Sequence, residues 1–89
     1  MPLVFRLDSN DRWRRASTQS ISDQTLTFVT RAKIAIGTPV QVRFVVRVTS
    51  ARSEVECWTR IVRVRKSANA EALVYTAAIE SHEFVKVRA

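Results

Sequence analysis

Residues 40–49, VQVRFVVRVT, alternate two sets of side chains. One set is apolar throughout, and the other is mostly polar: Val40, Val42, Phe44, Val46 and Val48 against Gln41, Arg43, Val45, Arg47 and Thr49. A spacing of two is typical of a half-buried β-strand and not of a helix. Gly37, Thr38 and Pro39 mark a turn just before it. The stretch therefore predicts a strand with one face towards a core.

Two further strands are expected in the C-terminal half. Residues 73–80 alternate in the same way, with less contrast between the two faces. Residues 54–65 are rich in β-branched types, but the apolar phase shifts between Ile61 and Val62. Because one extra residue reverses the faces of a strand, this shift predicts a β-bulge near residues 60–62.

The N-terminal part predicts three shorter strands. Leu26 and Phe28 mark one of them, and residues 12–21 can form another. Residues 8–11, DSND, are typical turn formers, so residues 3–7 are expected to pair with the strand that follows as a hairpin.

The turn signals are spaced as in a β-sandwich or a small barrel. Residues 66–71 read as a polar hairpin loop, and residues 81–87 are expected to form at most a short helical turn or an extended tail. A chain of 89 residues has room for one hydrophobic core. The expectation is a single all-β domain spanning residues 1–89.

The chain is basic, with 15 Lys and Arg against 8 Asp and Glu, a formal net charge of +7. Such a surface favours nucleotides, nucleic acid, acidic lipid or an acidic protein face, although a basic domain can also simply be soluble. The single cysteine, Cys57, fits a reducing compartment. No signal peptide and no run of 18 apolar residues is seen, so a cytoplasmic location is expected.

The inventory of reactive side chains does not favour catalysis. One His, one Cys and 8 scattered carboxylates form no triad or metal cluster at a recognisable spacing. His82 is expected at the surface, and Cys57 as a buried, inert thiol. We therefore expect neither enzymatic activity, nor a metal, nor a cofactor.

The basic residues are better organised, since Arg12, Arg14 and Arg15 flank Trp13. The predicted strand then leads into hydroxyl side chains that include Ser20 and Ser22. Guanidinium groups bind phosphate in a bidentate way, hydroxyls add hydrogen bonds, and an aromatic face can take a base. The alternative is a solvated basic strand with the tryptophan packed into or beside the core.

A second basic feature lies on the two long strands. Arg43 and Arg47 share one face, Arg63 and Arg65 share another, and antiparallel pairing could join them into a basic stripe. Only Trp58 could stack a base there, whereas readers of single-stranded nucleic acid interleave several aromatic residues. We prefer a solvated face and do not expect nucleic acid as the partner.

The order of these features resembles the PilZ domain family. The resemblance rests on residues 20–26 (SISDQTL), Phe28, residues 37–40 (GTPV), the β-rich stretch 55–64 and residues 75–80 (YTAAIE). PilZ domains carry an acidic or amide residue, any residue, a serine, two more residues and a glycine between strands of a six-stranded barrel. Here Ser22 matches the serine, while Ser20 and Thr25 occupy the acidic-or-amide and glycine positions.

The resemblance implies a six-stranded antiparallel PilZ-like split barrel that binds cyclic di-GMP in bacterial signalling. It implies that the ligand residues are Arg12, Arg14 and Arg15 for phosphate, with Ser20 and Ser22 from the motif. Two other hypotheses stay open. One is an adaptor that binds a protein partner through its basic face or an edge strand, and the other is a general nucleic-acid binder.

Overall fold

Six β-strands make up the fold. The computed structural model describes residues 2–48, 51–68 and 71–88. The strands are β1 (Pro2–Arg6), β2 (Arg14–Ile21), β3 (Thr25–Thr30), β4 (Pro39–Val48), β5 (Ala51–Lys66) and β6 (Leu73–Arg88). The expectation of an all-β chain is confirmed, because the described residues contain no helix. Consequently none of them belongs to a helix that could cross a membrane.

The strands close into an antiparallel barrel in the order β1-β2-β3-β6-β5-β4, with β4 returning to β1. The closure is narrow, since β1 and β4 share only the pairs Val4↔Arg43, Phe5↔Val42 and Arg6↔Gln41. On its other side β4 pairs with β5 over its whole length. The later part of β4 therefore continues past β1, together with β5 and β6, as a three-stranded sheet.

Most predicted elements are confirmed, with differences at their ends. The β-bulge lies between Ile61 and Arg63, as the shift of the apolar phase predicted. The N-terminal hairpin forms, but β2 begins at Arg14 and not at Arg12, because Asp11 organises the preceding turn. Residues 81–87 are not a helical turn: they continue β6, since β5 is long enough to pair with them. The predicted strand residue Thr49 and residues 69–70 of the predicted loop lie outside the described residues.

The core fills the barrel with alternate side chains from the strands. Its fully buried members include Phe5, Leu26, Phe28, Val42 and Tyr75. Phe28 is central: its ring centroid lies 5.6 Å from that of Phe5 and 5.7 Å from that of Tyr75. Rings at such separations add attraction beyond the burial of their area.

The connection between β3 and β4 is fixed to the core by one phenol. The Tyr75 hydroxyl donates to the Ala32 carbonyl at 2.7 Å and accepts from the Ile34 N–H at 2.9 Å. Gly37 then adopts φ 92°, which favours glycine, and donates its N–H to the Ile61 carbonyl at 2.7 Å. The connection is thus held at both of its ends.

Replacing Tyr75 by phenylalanine is expected to lower the free energy of unfolding by about 2 kcal/mol, because two backbone groups lose their partner inside the protein. Urea denaturation followed by circular dichroism measures the loss. Amide hydrogen exchange at Ile34 should accelerate as well. An unchanged midpoint would contradict the anchoring role.

Candidate ligand-binding groove

A groove opens where β1 and β4 part. Continuing their register would place Pro2 opposite Val45, but proline has no N–H to donate, and the pairing ends at Val4↔Arg43. The space has a volume of about 890 Å³, within the range of small-molecule sites. Its lining consists of Pro2, Leu3, Val4, Arg15, Arg43, Phe44, Val45, Arg47, Arg52 and Glu54.

The lining is strongly cationic. Arg15, Arg43, Arg47 and Arg52 face one acidic residue, Glu54. Arg43 already has a partner, but the other three arginines make no ion pair with any residue that the structure describes. Arg47 and Arg52 are also direct cross-strand partners, and like charges in that position repel each other. The groove therefore offers an anion three unneutralised guanidinium groups beside an apolar wall.

Arg43 is held in place by a polar network on the outer face of the barrel. Its guanidinium donates to Glu56 Oε2 at 2.6 Å through Nη2 and at 3.2 Å through Nε. Glu56, only 7% exposed, also accepts from the Gln41 amide, and Gln41 Oε1 accepts from Arg6 at 2.7 Å. Glu56 thus fixes one arginine at the edge of the groove.

Trp13 completes this network. The Arg6 guanidinium carbon lies 4.4 Å from the centroid of the Trp13 ring, and that of Arg43 lies 4.9 Å from it. Both distances fall within the range of cation–π attraction. Trp13 is half-buried beside the barrel. This agrees with the alternative hypothesis from the sequence, in which the tryptophan packs into or beside the core. Its ring binds the chain's own arginines.

The five residues expected to bind a ligand do not converge on one place. Arg15 lines the groove. Arg14 forms an ion pair with Asp11 at 3.2 Å, and Arg12 is exposed in the turn before β2. Ser20 lies near the far end of β2 and Ser22 in the turn just after it, roughly 17 and 23 Å from Arg15 at the rise of a strand.

The turn chemistry expected of residues 8–11 is present. Asp8 Oδ1 accepts from the Asn10 and Asp11 N–H groups at 2.7 and 3.0 Å. The Leu7 N–H, which donates to Asp11, lowers the pKa of that carboxyl group, and Arg14 adds to the effect against partial burial. Both carboxylates therefore stabilise the turn, and Asp11 also holds Arg14 in an ion pair.

Ser22 also has a local role, in the turn between β2 and β3. Its Oγ accepts from the Thr25 N–H at 3.0 Å and from the Gln24 N–H at 3.2 Å. Such a bond from a serine to the backbone is a common device of turns. Ser20 lies two residues earlier, opposite Thr27, and its side chain is exposed.

These two serines give a matched pair of variants. Ser22→Ala is expected to lower the free energy of unfolding by about 1 kcal/mol, because two turn N–H groups lose their acceptor. Ser20→Ala should change it by less than about 0.5 kcal/mol, as at an ordinary surface position. Thermal denaturation of both variants measures the difference. Equal effects would contradict the turn role of Ser22.

Cys57 is buried, as expected from its position on β5. Burial raises the pKa of its thiol, and the charge of Glu56 raises it further. Native protein should therefore react with a disulfide reagent at neutral pH at least about 100-fold more slowly than protein unfolded in urea. Absorbance of the released thiolate follows the reaction. Comparable rates in the two states would show that the thiol is accessible.

The basic stripe that antiparallel pairing could have formed from Arg43, Arg47, Arg63 and Arg65 is absent, in line with the preferred interpretation of a solvated face. β4 pairs with residues 51–60 of β5, so Arg43 lies opposite Glu56 and Arg47 opposite Arg52. Arg63 and Arg65 lie beyond this pairing, opposite Thr76 and Val74 of β6. The physical reason is the length of β5: β6 pairs with it from residue 52 to residue 66, whereas the shorter β4 pairs with residues 51–60.

Arg52 was missed as a groove residue in the sequence. Its position follows from the β4–β5 hairpin, because residues 47 and 52 lie at equal distances from the two-residue connection 49–50. That symmetry was the available signal. Nothing in the alternation of side chains brings Arg15 to the same place, since β2 reaches β4 only through β1.

The described residues contain no group of three or more His, Cys, Asp and Glu that could hold a metal ion. His82 is exposed on β6. Guanidinium groups arranged as in this groove can bind an anion noncovalently. Comparisons of the chain with models of protein families, with curated proteins and with solved structures found no match.

Proposed function

We propose that this chain is a binding module that takes an anionic phosphodiester ligand in the groove between β1 and β4, without catalysis. The observation that carries the proposal is the convergence of Arg15, Arg47 and Arg52, which have no acidic partner among the described residues. Holding like charges together in a fold costs free energy, and a bound anion relieves this repulsion by forming charge-assisted hydrogen bonds with the guanidinium groups.

Cyclic di-GMP is the first ligand to test. The resemblance to PilZ domains carries this choice, together with a role in bacterial signalling and a cytoplasmic location. A six-stranded antiparallel barrel is compatible with that family. Arg15 supports this choice in two ways: the resemblance implies that it is a phosphate ligand, and its side chain lines the groove.

Isothermal titration calorimetry and amide chemical shifts with cyclic di-GMP test the proposal. We expect heat and shifts at the groove, and an affinity loss of at least about tenfold for Arg15→Ala combined with Arg47→Ala. Arg63→Ala with Arg65→Ala is the matched control, since both side chains are exposed arginines of the barrel surface outside the groove lining.

A further variant distinguishes the groove from a site formed by the other two arginines that the PilZ resemblance implies, Arg12 and Arg14. Arg12→Ala with Arg14→Ala should leave the affinity within about twofold if the groove binds the ligand. A larger loss in this variant than in the groove variant would place the ligand at Arg12 and Arg14 instead. The absence of heat and shifts at about 1 mM ligand would remove the nucleotide role.

A protein-binding adaptor is the second candidate function, and two observations favour it. Val62 and Val64 are 50% and 38% exposed on β5, and β4 extends past its neighbour β1. Exposed sheet edges and apolar side chains serve as docking sites for partner chains. Binding of a partner with equal affinity in the presence and absence of cyclic di-GMP would favour the adaptor over the nucleotide receptor.

A further inference from the structure

The β4 edge beside the groove has no neighbouring strand in the part of the chain that the structure describes. Pairing with β1 ends at Arg43, so no described strand pairs with residues 44–48 on that side. On the opposite side the same residues pair with β5 from Ala51 to Val55. A strand edge of this kind presents backbone N–H and C=O groups that can accept another extended chain.

Charge around this edge selects an acidic partner. Arg47 and Arg52 lie opposite each other. Arg15 lies on the facing wall of the groove. With a net charge of +7 for the whole chain, the field at the edge favours carboxylates or phosphates.

The apolar part of the lining distinguishes a peptide from a nucleic acid. Bases of single strands stack on exposed aromatic rings. The one aromatic residue of the lining, Phe44, is only 7% exposed, and Trp13 nearby is already covered by two guanidinium groups. A peptide strand, in contrast, alternates its side chains between two faces.

The alternation of side chains on β4 indicates which peptide sequence would fit beside it. Arg47 lies on the outward face of β4, whereas Phe44 and Val46 pack with the core on the other. A partner strand that alternates acidic and β-branched residues would turn carboxylates towards the arginines and apolar groups towards Phe44 and Val46. Its backbone would complete the ladder of β4.

We propose that residues 44–48 of β4 dock an extended acidic peptide segment of a partner protein by strand addition. Arg15, Arg47 and Arg52 bind its carboxylates. The proposal rests on the adaptor function and specifies the chemistry of the partner.

The probe is a fluorescein-labelled peptide of about six residues that alternates glutamate and valine, a typical strand length. Fluorescence anisotropy should show binding that weakens with salt, and amide shifts should concentrate at residues 44–48. Arg47→Ala with Arg52→Ala should weaken binding by about tenfold. Arg63→Ala with Arg65→Ala, outside the groove, should change it by less than about twofold.

A second peptide separates strand addition from simple charge attraction. It has the same sequence and charge, but alternate backbone nitrogens are methylated, so they cannot donate hydrogen bonds. We expect at least a tenfold loss of affinity, since main-chain bonds supply much of the affinity in strand addition. Equal binding of the two peptides would overturn the proposal and leave an edge that is only protected by its charges.

The outcomes also separate this proposal from the nucleotide role. Binding of cyclic di-GMP with no binding of the peptide at about 1 mM overturns strand addition and leaves the phosphodiester role standing. A labelled oligothymidylate that binds more tightly than the peptide also overturns it, in favour of nucleic acid. If the unmodified peptide binds and cyclic di-GMP does not, the result supports strand addition and excludes the nucleotide as the ligand of the groove.

Discussion

Replacing Phe28 by alanine should lower the free energy of unfolding by about 4 kcal/mol, as for other large aromatic residues of protein cores. The side chain is fully buried and contacts both Phe5 and Tyr75, which come from different strands. Because the barrel is closed, its walls cannot collapse freely into the cavity. For a domain of this size the midpoint of thermal unfolding should fall by roughly 20 °C.

Thermal and urea denaturation followed by circular dichroism measure the effect. Ile36→Ala is the control, because Ile36 is 62% exposed and should change the stability by less than about 0.5 kcal/mol. If Phe28→Ala does not fold, Phe28→Leu keeps most of the volume and should cost about 1 kcal/mol. A loss below about 1 kcal/mol for Phe28→Ala would contradict a core centred on this ring.

Replacing Glu56 by alanine should be the second largest single effect, a loss of about 3 kcal/mol. The carboxylate is buried and accepts bonds from both Arg43 and Gln41. Its removal leaves the half-buried Arg43 guanidinium without an acidic partner. Water reaches Arg43 in part, which keeps the loss at the lower end for broken buried pairs.

The ion pair of Arg60 with Glu80 gives the matched control. It also joins an arginine and a glutamate of neighbouring strands, at 3.2 Å, but both side chains are about half exposed. Glu80→Ala should therefore cost less than about 0.5 kcal/mol. A double-mutant cycle of Glu56 and Arg43 measures their coupling. A coupling no larger than that of Arg60 with Glu80 would contradict the special role of Glu56.

Glu56 also connects stability with binding. It holds Arg43 at the edge of the groove, so Glu56→Ala should change the affinity for an anion as well as the stability. Glu80→Ala should change neither. This pair of variants tests whether the polar network on the outer face positions Arg43 for binding an anion in the groove.

The alternation of residues 40–48 and 73–80 was sufficient to predict strands, and the shifted phase near Ile61 predicted the bulge. These predictions succeed because the face of a strand depends only on the parity of each position. The end of β6 was not predicted, since a strand continues as long as its neighbour offers hydrogen bonds, and that neighbour is β5.

The candidate site shows the same limit. The sequence marked Arg12, Arg14 and Arg15 as one cluster because they are close along the chain. In the strand, alternation sends Arg14 and Arg15 to opposite faces, where Arg14 meets Asp11 and Arg15 meets the groove. Proximity along the chain is therefore a poor guide to a common site in β-structure.

The sequence by itself determined that this protein is a small, basic, all-β chain with Cys57 inside, because composition and spacing are local properties. Only the tertiary structure decided which residues are cross-strand neighbours. It places Arg15, Val4, Arg43 and Glu56 side by side on four adjacent strands. Only it decided that Arg47, Arg52 and Arg15 meet around a groove. The reason is register: periodicity states which face a side chain occupies, but barrel closure sets which residues of distant strands become neighbours.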